Sequence, residues 1–328
     1  RLLGRRFRRF RGRFGFRRCR RFWRLAYGGL GSGRFGLLGR LRLRRRLACD
    51  EALDLSGRRF LARVLVNDLR VGLNSPVVTC LATQQGGELV AVGGDDHLLR
   101  VWNTRTGKLV HRLAGHRDWI RAVQFVPGRD EIVTAGNDRR LLRWTLSDQA
   151  VAHREIAKHD EAITCISITS DGSRLAATGF DPRMALYDLE DSADVTRIAC
   201  PCRDMRTAVF SPSSESLASA GRNGRIRFWA VDDMQHVRDI EAHRQRIRAL
   251  VYSPDGQHLV SASEDRTARV WNVATGEPIA VLSTGSAKIL SAVYLDDRHL
   301  ATGGSDNLIR IWDVQRKEQI NTLVGHTG

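Results

Sequence analysis

The chain has 328 residues, with 53 Lys and Arg against 36 Asp and Glu, and a formal net charge of +17. Residues 1–46 hold 18 arginines, no lysine and no acid, which leaves 35 basic and 36 acidic side chains, a net of −1, in residues 47–328. A polycationic fold is thus excluded for most of the chain, as is a membrane-spanning helix, because no apolar run reaches the needed length.

Residues 1–49 read as an Arg-rich, low-complexity tail without its own fold. It interleaves Arg with Phe, Trp, Leu and Gly. Arginines neutralise phosphates and aromatics stack on bases, so one reading is an RNA- or DNA-binding arm. A second is adhesion to anionic membrane or a targeting role, although Arg34, Arg40, Arg42 and Arg44 interrupt the only candidate apolar region. A third reading is a dispensable tail, or GC-rich upstream sequence carried into the frame of a chain that begins on Arg1. All three stay open.

Residues 50–74 are a transition. Phe60 stands 42 residues before Trp102, and Val66–Asn74, VNDLRVGLN, falls on Lys108–His116, KLVHRLAGH.

From there the chain repeats itself. Aligned on a terminal aromatic (Trp102, Trp144, Tyr187, Trp229, Trp271, Trp312), the copies step by 42, 43, 42, 42 and 41 residues. Six residues before the aromatic stand Asp96, Asp138, Asp181, Asn223, Asp265 and Asp306. His116, His159 and His243 lie 28 residues before it, and Thr134, Ser219, Ser261 and Thr302 lie 10 before it. Within the fifth copy, IRALVYS alternates as a half-buried strand, SPDG turns, HLVSAS is a second strand, EDR reverses and TARVWN is a third. Four short strands at a period of about 40–45 residues are the signature of propeller blades. The fold class is therefore an all-β propeller of four-stranded antiparallel blades. Residues 75–324 hold six full blades, and residues 325–328 open a further repeat, so the ring is expected to have seven blades or more.

These residues resemble the WD-repeat β-propeller family, through Gly115-His116, Lys158-His159, Ala242-His243 and Gly325-His326, and through Val101-Trp102-Asn103, Val270-Trp271-Asn272 and Ile311-Trp312-Asp313. The resemblance implies a hydrogen-bonded His, Ser/Thr, Asp and Trp set in each blade. Two copies have all four: His116, Thr134, Asp138, Trp144 and His243, Ser261, Asp265, Trp271. The third has His159, Asp181 and Tyr187 with Ala177 at the hydroxyl position, and the first and sixth keep Asp96 with Trp102 and Asp306 with Trp312. In the fourth, Pro201 and Asn223 replace both polar anchors, so that blade is expected to be the least rigid. Asp95, just outside the register, is expected to contribute little. The resemblance also implies a closing strand around Asp68–Leu73.

A His–Asp–Ser set invites comparison with a hydrolytic triad, but it recurs blade after blade whereas catalysis needs one site. The residues read as structural, with no catalytic site, cofactor or metal expected. Cys80 and Cys165 share a register and read as core residues. Cys19, Cys49 and Cys200-Pro-Cys202 lack a second Cys/His pair at zinc spacing. The scatter is not a disulfide framework, which favours a reducing, cytoplasmic setting.

What the resemblance implies about function is a non-catalytic scaffold for protein–protein interaction. Family partner contacts map onto Trp119, Arg121, Asn137, Asp204, Arg206, Arg222, Arg246, Arg248 and Glu264, a set whose arginines suit an acidic or phosphorylated protein. Against it stands the plainer reading of solvated arginine turns with one packed Trp. Two alternatives remain: a nucleic-acid-associated factor using residues 1–46, and a binding or sensor module of a larger enzyme. No oligomer is expected.

Overall fold

The structure, a computed structural model, describes residues 76–146, 152–191, 195–199 and 205–324, and all the regular elements among them are β-strands. The first blade is β1 (Val78–Thr83), β2 (Leu89–Gly94), β3 (Leu98–Asn103) and β4 (Lys108–Ala114). The second is β5 (Ile120–Phe125), β6 (Glu131–Gly136), β7 (Arg140–Thr145) and β8 (Ala152–Lys158). The third is β9 (Ile163–Ile168), β10 (Arg174–Gly179), β11 (Arg183–Asp188) and β12 (Val195–Ala199). The fourth is β13 (Met205–Phe210), β14 (Ser216–Gly221), β15 (Arg225–Ala230) and β16 (His236–Glu241). The fifth is β17 (Ile247–Tyr252), β18 (His258–Ser263), β19 (Thr267–Asn272) and β20 (Pro278–Ser283). The sixth is β21 (Ile289–Tyr294), β22 (His299–Gly304), β23 (Leu308–Asp313) and β24 (Glu318–Val324). Each blade is one antiparallel meander in strand order, so the molecule is a propeller of six four-stranded blades set round a ring. No helix among the described residues is long and apolar enough to cross a membrane. The expected closing strand at Asp68–Leu73, the tail and the further repeat at residues 325–328 lie outside the described residues.

Local chemistry makes each reversal. In the SPDG turn, Ser253 accepts the Gly256 amide at 2.9 Å, Gly256 takes a φ of 71°, and the Ser253 hydroxyl accepts the His258 amide at 2.9 Å. The tight turn at the other end of each hairpin is an Asx turn in all six blades. The side-chain oxygen of Asp96, Asp138, Asp181, Asn223, Asp265 or Asp306 accepts the amide two residues on, at 2.8–3.3 Å. Five of these turns then place the next residue at positive φ: His97, Arg139, Gly224, Arg266 and Asn307. Gly224 has no alternative, because a Cβ there would run into the His243 carbonyl oxygen.

Every inner strand carries a bulge near its start, which drops one residue out of the ladder: Thr79, Arg121, Thr164, Arg206, Arg248 or Leu290. Their neighbours bury the core between blades. Leu99, Val101 and Leu113 of the first blade meet Ile120, Ile132 and Trp144 of the second, and the same layering places Tyr187, Trp229, Trp271 and Trp312 against the blade before. Burying one such aromatic removes about 150–250 Å² from water, which contributes roughly 4–6 kcal/mol. The inner strands pack in the succession β1, β5, β9, β13, β17, β21, and among the described residues no comparable packing joins β21 back to β1. Cys80 lies in this core, whereas Cys165 is half-buried where β9 meets β13, its thiol 3.5 Å from the Ala208 carbonyl.

Candidate partner-binding face

The hydrogen-bonded sets come first, because they hold the turns of one face in place. In the second blade the Trp144 indole N–H donates to the Thr134 hydroxyl at 2.8 Å, which pairs with His116 Nε2 at 2.7 Å, while Nδ1 meets Asp138 at 2.9 Å. In the fifth blade Trp271, Ser261, His243 and Asp265 repeat the chain at 2.9, 2.7 and 2.8 Å. Burial lowers the pKa of His243 against the pull of Asp265, so the ring is neutral at pH 7. A neutral ring that donates from Nδ1 to the carboxylate accepts the hydroxyl proton at Nε2, and every donor is used. Burial alone would raise the carboxyl of Asp138, but the His116 ring and the Arg117 amide outweigh it and hold it below the usual range.

The bond order Asp–His–Ser is that of a hydrolytic triad, and its surroundings are not. Ser261 is fully buried and its oxygen already accepts the Trp271 N–H. No substrate carbonyl reaches it, and the equivalent set stands three blades away.

The other blades solve the same problem with different residues. In the third, the Tyr187 hydroxyl pairs directly with His159 Nε2 at 2.7 Å, standing in for the hydroxyl that Ala177 lacks. Asp181 is held there by Arg183 at 3.0 Å. In the first and sixth, Arg100 and Arg310 reach Asp96 and Asp306 at 2.6 Å each, in place of histidine. In the sixth, Trp312 still donates to Thr302 at 2.8 Å, and in the fourth Trp229 donates to Ser219 at 2.8 Å. Asp95, just outside the register, has a bond that the spacing does not mark. Its carboxylate accepts the Val77 amide at 2.7 Å, so it pins the start of β1 to the tight turn.

Near the tight turns, three repeat positions per blade mark one face: the residue before the inner strand, the bulge residue and the residue before the turn Asp. Trp119 is half-buried, its amide donating to Asp118 at 2.6 Å and its carbonyl accepting the Asn137 amide at 2.9 Å. Arg121, Arg206 and Arg248 are bulge residues of blades two, four and five. Arg222 is exposed. Arg246 and Arg248 both point at Glu264. Asp204 lies outside the described residues.

Two residues of this face escaped the sequence reading. Phe180 holds the same turn position as Asn137, Arg222 and Glu264, is 44% exposed, and lies under the Arg206 guanidinium, 4.3 Å from ring centroid to carbon. Lys288 precedes β21 and reaches Glu264 at 3.2 Å. Both sit at repeat positions that the register already marks, so extending the alignment to every blade would have found them. The arginines of the opposite face do something else. Arg143, Arg174 and Arg238 each donate to a carbonyl of the next blade, those of Leu189, Val231 and Ala274, and so clasp neighbouring blades.

Comparison with known proteins adds the following. The chain matches the family described as "WD domain, G-beta repeat" at residues 68–103, 107–145, 152–188, 192–230, 234–272 and 276–313. It is 40% identical over 45 residues to "Nuclear distribution protein PAC1" of Coprinopsis cinerea, covering 14% of this chain and 10% of that protein. It is 37% identical over 57 residues to "Probable serine/threonine-protein kinase PkwA" of Thermomonospora curvata, covering 17% and 8%. It is 34% identical over 68 residues to "Cilia- and flagella-associated protein 52" of Mus musculus, covering 21% and 11%. The matches span about a tenth of the length of these relatives.

Proposed function

This chain belongs to the WD-repeat family, and from that premise we propose that it is a non-catalytic protein–protein interaction scaffold whose partner docks on the tight-turn face. The observation that carries this reading is the composition of that face. Trp119 and the exposed Phe180 share that face with a run of cations, Arg206, Arg222, Arg246, Arg248 and Lys288, and the hydrogen-bonded sets of the second and fifth blades hold the turns beside Trp119, Arg246 and Arg248. Aromatic and arginine side chains are the types enriched where interfaces carry their energy, and rigid support lowers the entropy lost on binding. A cytoplasmic setting goes with this reading, because the scattered cysteines of the sequence do not read as a disulfide framework.

The test is a comparative pull-down from lysate with the full chain, a tight-turn-face variant (Trp119→Ala with Arg121→Ala) and an opposite-face variant (Asp232→Ala with Asp233→Ala). Proteins held by the wild type and the opposite-face variant but lost by the first variant support the assignment. Equal recovery by all three overturns it.

A second reading has its own observation, the 18 arginines and no acids of residues 1–46. In it the arm holds nucleic acid while the propeller docks proteins. Nuclease-sensitive recovery with a steep salt dependence would identify it. The match to a protein named as a kinase supports a further variant, in which the propeller is the binding module of a larger enzyme.

A further inference from the structure

Four blades carry an arginine two residues before the terminal aromatic, and in three of them a carboxylate holds it. Arg100 and Arg310 reach the turn residues Asp96 and Asp306 at 2.6 Å each. Arg227 has its partner across the ladder, where Asp239 of β16 stands opposite it at 3.2 Å. Arg269 of the fifth blade has neither arrangement. Its turn carboxylate, Asp265, is taken by His243 at 2.8 Å and by the Thr267 hydroxyl at 2.6 Å. The residue opposite Arg269 on β20 is Val281, at the place where the fourth blade has Asp239. The Arg269 Nε is buried without a hydrogen-bond partner, and among the described residues no carboxylate pairs with this guanidinium. A shielded donor without an acceptor is unfavourable, so an acceptor brought to it from outside is worth more than one on open surface.

The strand beside Arg269 is also the least defended outer edge. β20 ends its sheet, and among the described residues no strand pairs with its outer side. Exposed edges are ordinarily protected by charged side chains, prolines or bulges. Every other outer strand carries charge, including Arg112 in β4, Arg154 in β8, Arg197 in β12, Arg238 in β16 and Glu318 in β24. β20, PIAVLS, carries none. Its proline and the irregularity in its ladder both lie at the Pro278 end, which leaves residues 280–283 in even register with β19. Ala280 and Leu282 bed the strand on the core shared with the sixth blade, whereas Val281, on the other face, is 51% exposed.

We propose that β20 takes an extended segment of a partner protein as an added strand, and that Arg269 receives a carboxylate from that segment. Added strands gain affinity from ladder hydrogen bonds and specificity from alternate side chains. A residue opposite Val281 on the new strand lies about 4.8 Å beyond it, on the face that Val281 and Arg269 share. Glutamate or aspartate at that position restores, from outside, the pair that Arg227 makes with Asp239 within the fourth blade. A second copy of this chain fits less well, because pairing β20 with itself supplies no acid to either Arg269. The site lies at the outer edge of the fifth blade and does not rest on the reading of the tight-turn face.

The test measures retention of labelled nonapeptide libraries, randomised among Val, Ile, Thr and Ser around a fixed centre, on the immobilised full chain at near-physiological salt. One library has a central glutamate and one a central lysine. A third has a central glutamate between two prolines, which cannot donate ladder bonds. The wild type is compared with Arg269→Glu and with Val281→Asp, which sets a carboxylate where the fourth blade has Asp239. The arginines of residues 1–46 are common to all, so only differences between variants are read. Both variants are expected to lower retention of the central-glutamate library by about fivefold and to leave the proline-flanked library within about twofold of wild type. Arg269→Glu is also expected to raise retention of the central-lysine library by about threefold, a gain that loss of folding cannot produce. Unchanged retention of the central-glutamate library in Val281→Asp overturns the proposal, as does an equal fall of the proline-flanked library in both variants. A wild type that sediments as a dimer while both variants sediment as monomers also overturns it, because the occupant of the edge is then a second copy.

Discussion

The third blade offers a sharp test of how these sets work. Tyr187 and Ala177 stand where the fifth blade has Trp271 and Ser261, in the same ladder register, Leu175 opposite Tyr187 and Leu259 opposite Trp271. The Tyr187 hydroxyl pairs with His159 Nε2 at 2.7 Å, whereas in the fifth blade a serine hydroxyl pairs with His243 at the same distance and takes the indole N–H as well. Tyr187→Trp alone removes the partner of His159, forces a larger ring into a buried site and leaves an indole N–H without an acceptor, a cost of about 2–3 kcal/mol. Ala177→Ser alone places a hydroxyl in a fully buried position already served by the phenol, a cost of about 1 kcal/mol. The double variant rebuilds the Trp–Ser–His chain of the fifth blade and is expected within about 1 kcal/mol of wild type. The coupling is therefore about 2–3 kcal/mol in favour of the pair, read from urea unfolding of the four proteins followed by circular dichroism. Additive single effects, with coupling under about 0.5 kcal/mol, would refute the view that the tyrosine hydroxyl substitutes for the missing one.

Asp265→Ala should cost roughly 1–3 kcal/mol, because it strips both the Asx turn and the partner of His243. Asp95→Ala should cost about 1 kcal/mol through the orphaned Val77 amide, and a neutral result in urea unfolding would show that this bond contributes nothing. Gly224→Ala should cost more than about 1 kcal/mol, since a Cβ meets the His243 carbonyl at a φ of 72°, and an unchanged unfolding midpoint would contradict that geometry. The pH dependence has two stages. Burial lowers the pKa of His159, aided by the Arg197 charge, and that of His243, so the unfolded chain binds protons first and stability falls as pH drops below about 6.5. A second loss follows below about pH 4, as carboxylates such as Asp171, held at about 2 by the Thr169 hydroxyl and the Ser173 amide and hydroxyl, become protonated. Melting midpoints across pH 8 to 3 check both stages. A midpoint that rises between pH 7 and 5 would contradict the histidine assignment.

What the sequence by itself determined is whatever is written within a few residues or multiplied by the repeat. The blade period, the four strands, the SPDG turn and the Asp or Asn of each tight turn were all legible. The last is so regular because its first task is local: the side chain bonds an amide two residues on, which any chain with that spacing can do alone. The tertiary structure decided which partner each Asp takes, since that choice depends on strand register. Arg100 and Arg310 reach it four residues along a strand, while His116 and His243 arrive from 22 residues away. It decided equally that a phenol can serve as the missing hydroxyl, that Arg206 lies over Phe180, and that Lys288 joins Arg246 and Arg248 around Glu264. The last two contacts cross from one blade to the next. Their geometry is set by how the apolar faces of neighbouring blades pack, and no spacing within a single repeat encodes it.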